Sequence, residues 1–241
     1  MTTPGNLGDF CRYTLDYERQ SADDPVRLGS VFREYAGLQR TPSLARTINL
    51  VRSLSIKIES VDYLNTGGTN MLAKGCWHIH YSAKDKPATQ KFTIFHELFE
   101  VIHKNIGALD SSYTLQKEPQ LSRSADRFAA SALIPPRFFL GKVNATGCDL
   151  VKLSEELELS HQCLLIALGQ HLVEVPLVGV LYEYRQDGAK TTDTEIEDYV
   201  ATVVVKTPQA KRTKELCGLQ TVPSRNSHPD VGSLVCAAVT G

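Results

Sequence analysis

At 241 residues the chain is long enough for one large domain, or for one domain with a smaller companion. With 42% hydrophobic and 22% charged residues it has the balance of an ordinary globular protein, and a net charge of −1 gives no global field toward nucleic acid or anionic membrane. No run approaches the ~20 apolar residues of a membrane span, and "MTTPGNLGDFCRYTLDYERQ" lacks a basic region followed by an apolar run, so neither a membrane partner nor a signal peptide is expected. The six cysteines (Cys11, Cys76, Cys148, Cys163, Cys217, Cys236) include no C-x-x-C, which fits reduced thiols and a cytoplasmic location.

Residues 1–40 mix charged and apolar positions and predict an N-terminal helical segment of one or two surface helices. "TPSLARTINLVRSLSI" predicts a further helix: Thr41 can cap it, Pro42 suits its first position, and Leu44, Ile48 and Val51 recur at helical spacing. "IKIESVDYL" alternates like a strand, and "NTGGTN" (65–70) reads as a turn. "CWHIHYS" (76–82) predicts a second strand, with His78 and His80 on one face and Trp77, Ile79 and Tyr81 on the other. After the polar "AKDKPATQ" a long helix is predicted from about Ala88 to Lys104. "LSRSADRFAASALIPPRFFL" predicts a buried helix with Ala125, Phe128, Ala129, Ala132 and Leu133 on its apolar face, ended by Pro135-Pro136.

Residues 149–172 predict two helices about a tight turn at Leu159-Ser160, the second capped by Ser160. This pair looks like helix-turn-helix text, but "SHQCLLIALGQH" contains no Lys or Arg for phosphate contacts. A core helix pair is the better reading, with no direct nucleic-acid partner. After Val175 the composition changes: "VPLVGVLYEY" and "DYVATVVVKTP" are β-rich, and "TVPSRNSHPDVG" is turn-rich. A domain boundary is expected near residue 174.

The candidate chemistry lies in "FTIFHELFEVIH" (92–103). On a helix, residues i and i+4 share a face, so two side chains can reach one ion while a Glu at i+1 addresses a metal-bound water. That is the physical sense of H-E-x-x-H. Here His96 and Glu100 are the i, i+4 pair, and Glu97 keeps the base position. A carboxylate can bind zinc through oxygen, and its charge favours a harder ion such as manganese. The competing reading is a solvated stripe of ionisable residues, but the apolar residues almost encircling this helix argue for burial, where unpartnered charges are costly.

Two blocks, "KFTIFHELFE" (91–100) and "SADRFAASALIPP" (124–136), resemble the ImmA/IrrE family of zincin-like metallopeptidases. Its core reads roughly F-T-x-x-H-E-L-x-H, followed by A-[ND]-x-F-A-x-x-L-[LM]-x-P. The resemblance covers roughly residues 41–172. It implies an α+β fold: a zincin-like metallopeptidase domain over 41–174 with a short mixed sheet and an H-E-x-x-E helix, then a smaller β-rich C-terminal unit at 175–241 whose role it leaves open. It further implies a metal-dependent endopeptidase acting on a protein such as a helix-turn-helix repressor, several members releasing mobile-element or stress-response genes in this way.

By that resemblance His96 is a metal ligand and Glu97 the general base. Glu100 stands where the second His belongs. The third ligand, a Glu shortly before the second block, falls near Ser122 and Ser124; Asp126 and Glu118 are the nearest carboxylates, and His103 is a further candidate. Zinc, or manganese, is implied if the site is retained, and no metal if it is degenerate. The alternative function is a catalytically inactive relative that binds or regulates a protein partner.

Overall fold

The computed structural model describes residues 5–146, 149–173, 177–184, 199–207 and 233–239. Three helices open it, one more than expected: α1 (Leu7–Tyr17), α2 (Arg19–Ala22) and α3 (Pro25–Tyr35). Asn6 and Asp9 form a capping box on α1, and Asp24 caps α3 with Pro25 in its first turn. Helix α4 (Leu44–Ser53) is capped by Ser43 rather than Thr41, because the Ser43 hydroxyl is the group within reach of the Arg46 amide.

Strands β1 (Lys57–Val61), β2 (Gly68–Ala73) and β3 (Cys76–Ser82) form a small mixed sheet in the order β1-β3-β2. β1 runs parallel to β3, and β2 antiparallel. The expected turn at 65–70 is therefore only half right: Gly67, at φ +76°, turns the chain, but Gly68 already pairs with Tyr81. Gly68 is also a point of close approach. A Cβ there would stand 2.6 Å from Thr93 Cγ2 and 3.0 Å from Glu97 Cγ. The bare glycine lets β2 lie directly on the next helix.

That helix, α5 (Pro87–Leu109), is 23 residues long and central. Phe92, Ile94, Phe95, Leu98, Phe99, Val101 and Ile102 are all buried, so it is enclosed on most sides. β2 and β3 cover one side, and α1 and α6 (Gln120–Leu133) pack against others. Phe32 of α3 meets Phe95 edge-on at 5.9 Å, and Phe99 meets Phe128 of α6 at 5.4 Å. The N-terminal helices thus share one core with α5.

Ile134 is extended, as a residue before proline should be, and ends α6. Pro136 then opens a helix that the sequence reading lacks, α7 (Pro136–Thr146), because a proline that stops one helix also suits the first turn of the next. Helices α8 (Leu150–Leu157) and α9 (His161–His171) are joined through Glu158 in the left-handed region, and Ser160 caps α9 as expected. Strands β4 (Leu177–Tyr184), β5 (Tyr199–Lys206) and β6 (Ser233–Val239) pair antiparallel in the order β5-β4-β6. The turn-rich stretch 221–232 lies outside the described residues. No described helix is long and apolar enough to cross a membrane.

Candidate functional site

Helix α5 sets His96, Glu97 and Glu100 along the side that faces β2 and α6. His96 Nε2 and Glu100 Oε1 are 3.8 Å apart, one turn along the helix. Two donors about 2.1 Å from a tetrahedral ion are about 3.4 Å apart, so this spacing suits a shared ion. Asp126 comes in from α6 and meets the other ring nitrogen, His96 Nδ1, at 2.8 Å. It thereby fixes the imidazole with Nε2 turned toward Glu100, the orienting role carboxylates have behind metal-bound histidines.

Asn70 of β2 donates from Nδ2 to Glu97 Oε2 at 2.6 Å and to Glu100 Oε2 at 2.9 Å. Its carbonyl oxygen accepts from Lys104 Nζ at 2.7 Å, and the same ammonium stands 3.3 Å from Glu100 Oε2. Lys104 also lies over the Trp77 ring, 5.7 Å from its centroid.

Burial pushes the Glu97 carboxyl above its usual range, against the opposing pull of the Asn70 hydrogen bond. Burial works against a charged His96, but its hydrogen bond to Asp126 and the nearby Glu97 and Glu100 carboxylates outweigh it and hold His96 above its ordinary value.

The remaining candidates are placed elsewhere. His103 stacks on Phe99; its Nδ1 pairs with Tyr113 Oη at 2.7 Å and its Nε2 accepts from the Gln116 amide at 2.8 Å. Both nitrogens are engaged in anchoring the 110–116 loop. Burial lowers its pKa, as suits a neutral acceptor. Glu118 is exposed ahead of α6, and Ser124 is buried on it. His78 and His80 sit together on β3 with ring centroids 6.3 Å apart, and His80 pairs with Tyr63. Among the described residues no group of three or more His, Cys, Asp or Glu side chains is arranged to hold a metal ion.

Asn70 and Lys104 are not among the site residues expected from the sequence. Lys104 had a usable signal, since Glu100 and Lys104 form an i, i+4 pair. Asn70 had none, because its stretch reads as a turn until β3 is placed beside it.

The M78 peptidase family model, described as the IrrE N-terminal-like domain, matches residues 52–168. This segment belongs to the ImmA/IrrE family. No curated protein matches the chain. Among solved structures, a Mycobacterium tuberculosis transcriptional regulator is similar at 17% identity with a TM-score of 0.54, covering 83% of this chain and 59% of that one. The chain therefore spans less than two thirds of that neighbour, and at this identity the likeness concerns the fold. The α5 and α6 elements of the ImmA/IrrE domain are those that carry His96, Glu97, Glu100 and Asp126.

Proposed function

We propose that the ImmA/IrrE domain acts as a protein-binding regulatory module that keeps the peptidase cleft without its hydrolytic chemistry. The observation that carries this reading is the self-contained polar network: Glu97 is matched by Asn70, Glu100 by Asn70 and Lys104, and His96 by Asp126. A metallohydrolase needs an ion to polarise its substrate and a base aimed at a water. His96 and Glu100 have a spacing that suits two donors, but the family's third position falls near Ser122 and Ser124, whose hydroxyls do not replace a carboxylate, while Asp126 is taken up by His96 Nδ1 and Glu118 is exposed ahead of α6. As a set, these residues do not fit the family's metal, and no catalytic step follows from them.

The partner class is a protein, such as a helix-turn-helix repressor, bound without being cut. The structural neighbour is a transcriptional regulator, which agrees with a regulatory use of this fold. On this reading the cleft-bearing unit is residues 41–174, in a cytoplasmic protein.

One observation favours a second reading, a zinc- or manganese-dependent endopeptidase that cleaves such a repressor in a stress response with Glu97 as base. It is the Asp126–His96 pair, which turns Nε2 toward Glu100 as a metal site would require. The two readings separate in one experiment. The full chain is mixed with a helix-turn-helix repressor protein, with zinc or manganese supplied, and calorimetry follows binding while intact mass follows cleavage. Binding with no cleavage is the expected result. Cleavage that disappears in Glu97→Gln would establish the enzyme instead.

A further inference from the structure

We infer that Lys104 is a tethered counter-cation: its ammonium supplies the positive charge that Glu100 requires and thereby keeps divalent metal out of the His96–Glu100 cleft. The inference rests on the metal-free reading above and deepens it. Glu100 is largely buried, its side chain 16% exposed, and a carboxylate in that setting needs a cation or several donors. In a metallopeptidase the ion meets that need. Here Glu100 Oε2 receives Lys104 Nζ at 3.3 Å and Asn70 Nδ2 at 2.9 Å, so the demand is met from within the chain.

An ordinary exposed Glu–Lys pair on a helix is loose and contributes a few tenths of a kcal/mol. This one is held at three points. Asn70 Oδ1 accepts from the ammonium at 2.7 Å, Glu100 stands one turn back on α5, and the Trp77 ring lies beneath at 5.7 Å. The three come from three different elements, β2, α5 and β3, so the position of the charge is set by the fold.

The electrostatic consequence is direct. An ion bridging His96 and Glu100 would lie well within the ~10 Å Debye length of the ammonium, in a partly buried setting where screening is weak. The fixed charge repels it, and Lys104 and Asn70 already occupy the Glu100 oxygen that faces away from His96. Two donors with a like charge beside them make a poor site for any divalent ion. Removing the charge while keeping the stem over Trp77 restores an uncompensated carboxylate next to an oriented imidazole.

The test is calorimetric titration of Mn²⁺ into the full-length wild type, Lys104→Met and Lys104→Gln. Manganese is the probe because zinc would also favour the paired imidazoles of His78 and His80. Wild type should give no saturable binding. Both variants should take up one equivalent, with affinity at least roughly ten-fold above the weakest the titration detects, the scale expected for deleting a nearby unit charge in a site of intermediate dielectric. That uptake should disappear when His96→Ala is added to Lys104→Met. Circular dichroism establishes that each protein is folded.

If both folded variants titrate like wild type, or if uptake survives His96→Ala, the inference is overturned. A wild type that already binds one ion at His96 overturns the metal-free reading instead, and the inference then stands or falls on whether the Lys104 variants bind more tightly than it does.

Discussion

Asn70 and Glu97, 27 residues apart in sequence, are joined by a 2.6 Å hydrogen bond across the gap between the edge strand β2 and helix α5. The same amide also serves Glu100, so one neutral side chain holds two like-charged carboxylates in place. Asn70→Ala leaves both without their donor in a largely buried site. Losing the partner of a buried charged group costs about 1–3 kcal/mol. Urea unfolding at neutral pH should show a loss of that size, and a loss near zero would mean that solvent substitutes freely for Asn70.

That contact depends on a glycine. A side chain at position 68 would meet Thr93 Cγ2 at 2.6 Å and the His80 carbonyl oxygen at 3.0 Å, so Gly68→Ala must lift β2 from α5. Overpacking of this kind costs about 1–3 kcal/mol. Thr93→Ser removes the methyl that the new Cβ would strike. The double variant should therefore recover part of the loss, and additive single losses would place the strain elsewhere.

These two residues also mark where the sequence stops being legible. The helix carrying His96, Glu97 and Glu100 could be read from "FTIFHELFEVIH", because periodicity and apolar flanks are local signals. The α+β class, the strand at 76–82 and the Ser160 cap were legible for the same reason. Asn70 was not, since its role exists only once β2 pairs with β3 and Gly68 lets the strand touch α5. Asp126 was visible as a carboxylate of the second block, but that it takes Nδ1 rather than Nε2 of His96 is a fact of helix packing. His103, three residues past Glu100, looked available by spacing; the loop that engages both its nitrogens starts seven residues later and carries no pattern that announces it. Helix α7 was hidden because Pro135-Pro136 reads as an end, while one of the two prolines is also a beginning.

His103 gives a pH dependence of definite sign. Burial lowers its pKa from the ordinary 6.5, so the unfolded chain binds the proton more tightly than the folded one. Its contribution to stability is present above pH 6.5 and is lost as pH falls through the lowered folded value. Protonating Nε2 also ends its role as acceptor for the Gln116 amide. Chemical unfolding between pH 7.5 and 5 should show a smaller loss on acidification in His103→Gln than in wild type, after the behaviour common to both is subtracted. Equal losses would show that His103 does not report on this window.

Helix α9 should not read DNA. Its sequence, "HQCLLIALGQH", has no Lys or Arg, and Cys163 through Leu168 are buried in the core. Phosphate contacts supply most of the affinity for a duplex, and this helix has neither the charge nor the exposed face to make them. Electrophoretic titration with duplex DNA should show no salt-sensitive shift at micromolar protein. A shift that weakens steeply with salt would point to a basic surface other than α9.

Glu97 separates stability from chemistry. Its carboxyl is buried and held above the usual 4.5, so the folded state binds this proton more tightly than the unfolded chain. The protonated form therefore stabilises the fold at low pH, and that contribution is lost as pH rises through the raised folded value. Glu97→Gln keeps an oxygen that can accept from Asn70 and carries no charge at any pH. The variant should match wild type near pH 4 and be the more stable of the two at pH 7.5, a difference that thermal melts at the two pH values can read. The ionised carboxylate at 97 would then be a cost borne by the fold at neutral pH. A Glu97→Gln protein less stable than wild type at pH 7.5 would mean that the ionised carboxylate contributes to the network as a structural acceptor, and that its hydrogen bond from Asn70 outweighs its burial.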